Sequence, residues 1–454
     1  MKIPQLKKKP ELKSCHNVTW EDDYSWIHQE NILEVLKDSS KLLPEVRKYL
    51  EDENDYFSHQ MSDTKEIQKV LFDEIKGRIK LDDESLPFKD VRYSYWTKTT
   101  TKGNYSIKLR KKIDSEEIEE IWNGDLEKEK LKTEYFGLGD LEVSYNDKLL
   151  AYSLDLKGSE YYTIHIRDIK SREQVGEKIE NTSGGIIFSL DDKYIFYSKL
   201  DDNHRPREIF RHEIGTPTSK DILIFKEESE AFTVGIGLSS DEKYFFITSS
   251  DHNTSEQYYF NADEIIPNPK IIDKRKRGII YSVNSWNGNF YKHTNEDAED
   301  FKIEKTNDLE KKEWETFIPA REEVLIGGLI FLNNWIIRSE TSNALSKLIL
   351  RNPKNNEEEE IFFSDEKVIV PGVSLTQRNR NTDTVYLSYS SPKTPGRTYI
   401  YNLKTKEKKL VKEQEIPSGH NSDDYIVERL ECASHDGRMV PITITRHKKT
   451  KLDG

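Results

Sequence analysis

Two periodicities divide the chain. Up to about residue 80, apolar residues recur at helical spacing. After Pro44, which suits a first helical turn, Val46, Tyr49, Leu50, Phe57 and Met61 form one stripe. A second helix is predicted to start near Asp63, with Glu66 three residues on as a capping box. It carries Ile67, Val70, Leu71 and Ile75 on one face and stops at Gly77. From about Phe88 the period falls to two: Val91, Tyr93 and Tyr95 alternate with polar residues, as do Ile107 and Leu109 after the turn Gly103-Asn104.

The two-residue pattern then repeats as a unit of strand, polar turn and strand. Ser144-Tyr145-Asn146-Asp147-Lys148 precedes the run Leu149 to Ser153. Ser189-Leu190-Asp191-Asp192-Lys193 precedes Tyr194 to Ser198, and Ser239-Ser240-Asp241-Glu242-Lys243 precedes Tyr244 to Thr248. Further turns fall at Asn287-Gly288, Asn333-Asn334 and Thr382-Asp383. From Gly103 to Thr382 the seven turns are separated by 43, 45, 50, 46, 46 and 49 residues. A period in the forties with about four short strands per unit predicts propeller blades, and seven turns predict seven of them. A β-sandwich is the weaker alternative, and the absence of a WD dipeptide pattern disfavours the WD40 class. After the last repeat and the loop Ser418-Gly419-His420-Asn421, Tyr425 to Ala433 and Met439 to Thr445 read as two strands joined at Asp436-Gly437. A lone hairpin is not a domain, so something is expected to follow it.

Composition narrows the function classes. The 454 residues carry a net charge of −13, which argues against nucleic acid as a partner. The short basic runs Lys7-Lys8-Lys9 and Lys274-Arg275-Lys276-Arg277 sit among acidic segments and read as solvated turns. Two distant cysteines, Cys15 and Cys432, suit a reducing compartment. The first twenty residues have no apolar core of a signal peptide, and Val324 to Leu332 is far too short to cross a membrane. A cytoplasmic protein without membrane contact is the expectation.

The chemistry-bearing motifs are few. No Gly-x-Ser-x-Gly elbow occurs. Ser434-His435-Asp436 carries the three triad letters, but neighbours in a strand point to opposite faces and cannot converge, so a hairpin turn is the better reading. His212-Glu213 lacks the second histidine of a zinc helix, no Cys-x-x-Cys occurs, and no phosphate-binding glycine loop is present. No catalytic, cofactor-binding or metal-binding residue is therefore assigned. Glu357 to Glu360 reads as a solvated blade edge rather than a cation site. Asp201-Asp202 with Arg205 and Arg207 is either an ion pair holding blades together or a peptide-contacting rim, the structural role being favoured.

Several segments carry a family resemblance. Asp22-Asp23-Tyr24-Ser25-Trp26-Ile27 resembles the Asp-x-Tyr-x-Trp-Leu opening motif of prolyl oligopeptidase-type serine peptidases. Glu53-Asn54-Asp55-Tyr56, the run Leu71 to Lys80, and Phe210-Arg211-His212-Glu213-Ile214-Gly215-Thr216-Pro217 resemble the oligopeptidase B (protease II) branch. Thr254-Ser255-Glu256, Ser390-Ser391-Pro392 and Asp436 to Pro441 continue the match in order. The resemblance implies a mainly β chain in three parts. Residues 1–80 form a helical extension that packs on a hydrolase domain, 81–420 a seven-bladed propeller, and 421–454 the first strands of an α/β-hydrolase domain.

It also implies a propeller that admits short peptides to an enzyme cleaving after Arg or Lys. The Gly-Gly-Ser-x-Gly-Gly elbow, the Asp and the His of that enzyme have no counterpart in these 454 residues. The expectation is a chain inactive alone, with a separate α/β-hydrolase chain and short basic peptides as its partners and no cofactor. A free-standing peptide-binding propeller and a truncated gene product are the alternative readings.

Overall fold

The structure, a computed structural model, describes residues 1–264 and 266–453. It opens on an exposed hairpin, Glu11–Cys15 paired with Val18–Asp22, where helices alone were expected. His16 and Asn17 both adopt positive φ (49° and 64°), the backbone of a two-residue turn matched to strand twist. The basic run before it is not a free turn. Lys8 pairs with Asp23 at 2.5 Å, and Lys9 pairs with Glu45 at 2.6 Å while lying over the Trp26 ring. The Trp26 indole donates to the Lys7 carbonyl at 2.9 Å.

Three helices follow: α1 (Ile32–Lys37), α2 (Pro44–Gln60) and α3 (Lys65–Gly77). Pro44 occupies the first turn of α2 as predicted. The capping box at Asp63 does not form. Ser62–Thr64 is a 3-10 turn, α3 starts two residues later than expected, and the Thr64 hydroxyl donates to the Met61 carbonyl instead.

The remainder is β-propeller. In chain order the sheets comprise a five-stranded one (Asp83–Glu84 to Ile118–Asn123), which a short helix, α4 (Gly124–Leu131), follows, and an eight-stranded one (Gly137–Val143 to Ile222–Lys226). Four four-stranded ones then start at Thr233, Tyr281, Val324 and Val370. Five sheets thus stand as separate blades, and the prediction of seven blades is not met. Ile179–Thr182 pairs through the single couple Thr182–Lys199 with Tyr194–Leu200, which joins two groups of strands into the eight-stranded sheet.

The recurring Ser-x-Asp/Asn signature has a local cause. The Ser189 hydroxyl donates to Asp191 at 2.8 Å and accepts the Tyr194 N–H at 3.0 Å, while the Asp192 N–H returns to the Ser189 carbonyl. Asp192 takes positive φ (58°), and Ser144 and Ser239 build the same turn. Each turn reverses the chain between two consecutive antiparallel strands, the first and second of their sheets at Ser144 and Ser239 and the fifth and sixth at Ser189, so the motif fixes the repeat.

The core is divided among the junctions. Among the described residues buried apolar side chains form six clusters. Five link consecutive sheets, such as Tyr95, Trp122, Leu150 and Tyr152 between the first two. The sixth lies between the halves of the eight-stranded sheet, with Ile164 and Ile166 against Phe188 and Ile195. No cluster among the described residues joins the last sheet to the first, and that junction is a polar seam.

Candidate functional site: a channel, its closed mouth and an uncovered face

Because each sheet is an antiparallel meander, turns between first and second strands collect at one end of the ring, and turns between second and third strands at the other. The first end is tied together by side chains. Arg92 and Tyr95 of the first sheet bind Asp147 of the next at 2.7 and 2.6 Å. Asp192 accepts the Tyr145 and Asn146 N–H groups at 2.6 and 2.7 Å, and Ser285 donates to Asp241 at 2.9 Å.

Arg378, on the last sheet, spans this end. Its guanidinium lies 2.7 Å from Asp90 of the first sheet and 4.4 Å from the centroid of the Tyr145 ring. It also donates to Glu242 at 3.3 Å. Glu242 belongs to the sheet that starts at Thr233, which does not adjoin the last one. The contact therefore links two sheets that are not neighbours in the ring. Glu142 lies on Gly137–Val143, the edge strand of the eight-stranded sheet. Enclosure by protein pushes its carboxyl up to about 7; Asp140 adds to the rise, while Lys108 and Arg378 oppose it.

The seam between the last and first sheets holds a cleft of about 1140 Å³. Ion pairs cross it: Lys80 to Glu415 at 2.8 Å and Lys412 to Asp83 at 2.7 Å. The Lys412 ammonium holds the Asp83 carboxyl below its ordinary range. Main-chain bonds pin the seam's inner end, Lys89 N–H to the Thr376 carbonyl at 3.0 Å and Arg378 N–H to the Lys89 carbonyl at 2.9 Å. The Tyr386 hydroxyl adds a bond to the Pro87 carbonyl at 2.9 Å.

The opposite end of the ring carries the chain termini. Lys157 donates to the Lys37 carbonyl at 3.1 Å, Arg429 to the Asn343 carbonyl, and His420 lies 2.7 Å from the Lys393 carbonyl. All these ring positions lie in turns after second strands. Above this face the extension and the last hairpin, Tyr425–Ala433 with Met439–His447, present uncovered apolar side chains. On α2 Phe57 is 62% exposed, and on α3 Phe72 is 62% and Ile75 59% exposed. On the hairpin Met439 is 55% exposed, beside Leu430, Val440, Ile442 and Ile444. An apolar area of this extent is the mark of an interaction surface.

Ser434-His435-Asp436 is an exposed hairpin turn in which Ser434 N–H donates to the Arg438 carbonyl at 2.8 Å and Gly437 takes φ of 84°. His212 is sealed from solvent with its Nδ1 2.6 Å from Asp221, to which Tyr197 donates at 2.8 Å. No nucleophile reaches its Nε2 among the described residues, so this His–Asp pair, missed in the sequence, is structural. In the glutamate run, Glu358 is not merely solvated. It receives two bonds of 2.6 Å from Arg338 and one from Arg351. Asp201 pairs with Arg207 at 2.7 Å inside one hairpin loop, so it braces a single sheet instead of joining blades, while Asp202 and Arg205 are exposed.

Residues 4–414 match the sequence profile of the family described as "Prolyl oligopeptidase, N-terminal beta-propeller domain". The chain belongs to the prolyl oligopeptidase family. It is 29% identical to dipeptidyl aminopeptidase BI of Pseudoxanthomonas mexicana and 26% identical to protease 2 of Moraxella lacunata. It is matched over 99% and 98% of its length and spans 63% of each of these relatives. In fold it is similar to oligopeptidase B of Leishmania major (TM-score 0.89, 21% identity). The match covers 100% of this chain and 66% of that one. The antipain-bound closed form of oligopeptidase B from Trypanosoma brucei is similar too (TM-score 0.88, 23% identity), covering 99% and 66%. Within this family the chain corresponds to the propeller part. No helix among the described residues is long and apolar enough to cross a membrane.

Proposed function

We propose that this chain is the substrate-gating portion of a serine peptidase of the oligopeptidase B type, cleaving short peptides after Arg or Lys. It works against an α/β-hydrolase domain that supplies the Ser, Asp and His, on the same polypeptide or on a separate one. The observation that carries the reading is the uncovered apolar surface of α2, α3 and the last hairpin, gathered over one face of the ring. Residues 1–80 and 421–454 act as the docking elements, the hairpin being the opening strands of the hydrolase domain, and 81–420 as the propeller. Two groups of four strands, joined edge to edge and packed through their own apolar cluster, make up the eight-stranded sheet. The seam and the docked face then serve as routes for a peptide.

The preference for basic residues rests on likeness to oligopeptidase B, while a relative of comparable identity is named a dipeptidyl aminopeptidase. Three fluorogenic substrates decide between them: a blocked arginyl amide, a blocked prolyl amide and an unblocked dipeptidyl amide. The chain alone is expected to hydrolyse none of the three. Combined with a hydrolase domain of the family, it is expected to turn over the blocked arginyl amide fastest. Preference for either of the other two refutes the assigned specificity.

A further inference from the structure

We draw no further inference here: the strongest candidate, the edge strand Ile222–Lys226 of the eight-stranded sheet with Ile222 and Leu223 exposed, is interrupted by a bulge between Leu223 and Phe225, and nothing among the described residues shows what covers it.

Discussion

Arg378→Ala should loosen the seam far more than it loosens the blades. The guanidinium makes three contacts. The Asp90 contact at 2.7 Å, between groups 30% and 18% exposed, contributes about 1–2 kcal/mol, between an exposed pair and a charge-assisted hydrogen bond. The more exposed Glu242 adds roughly 0.5 kcal/mol, and the Tyr145 ring about 0.5–1 kcal/mol. Since one group makes all three, they do not add in full, and about 2–3 kcal/mol is the expected loss. At the other junctions an apolar cluster would absorb such a loss. At the seam main-chain bonds, the Tyr386 hydroxyl bond and exposed ion pairs remain. Hydrogen exchange of the Lys89 and Arg378 amides should therefore speed up roughly 30- to 150-fold, with amides of Leu149–Asp155 unchanged. A rise below about threefold at the seam, or an equal rise in Leu149–Asp155, would refute the idea that Arg378 fastens the ring.

Three further outcomes follow from single residues. Ser239→Ala removes the hydroxyl that bonds Asp241 and the Tyr244 N–H, and should cost about 1–2 kcal/mol in urea unfolding; a loss under about 0.5 kcal/mol contradicts the turn's role. Burial, stacked on Tyr152, lowers His165 to about 4 from its ordinary 6.5. Its neutral form therefore contributes stability above pH 6.5 that is lost as pH falls toward 4, on the order of 3 kcal/mol; His165→Leu should flatten that slope in denaturation curves. Glu142 has the opposite sign. Raised from 4.5 to about 7, it contributes stability that is full below pH 4.5 and lost as pH rises through 7. Carbon-detected NMR should place its titration midpoint near 7, and a midpoint near 4.5 counts against its enclosure by protein.

What the sequence revealed follows the range of each interaction. The Ser-x-Asp/Asn turns were legible because one hydroxyl and one backbone reversal within five residues build them. Gly103-Asn104 lies between Tyr93–Thr99 and Ile107–Lys112, the third and fourth strands of the five-stranded sheet; the counterpart of the serine turns, near Asp90, carries Val91 and Arg92 and lacks the serine signature. The eight-stranded sheet hangs on Thr182 meeting Lys199, a contact with no local pattern. The hairpin at Glu11 was missed because its strands bury almost nothing and show no alternation. Arg378 stands in the polar stretch Gln377 to Asn381 and reads as an ordinary loop residue until the ring brings Asp90 and Glu242 to it. The helical stripes of α2 and α3 were plain, and their exposure is what the sequence could only anticipate as a need for a partner.

Light scattering coupled to size exclusion, on the chain mixed with an isolated α/β-hydrolase domain of the family, tests the central claim most directly. The account predicts a one-to-one complex that is lost in Leu71→Asp and in Val440→Asp, exposed positions whose substitution leaves the ring's clusters intact. Absence of a complex, or a complex indifferent to both substitutions, would contradict it.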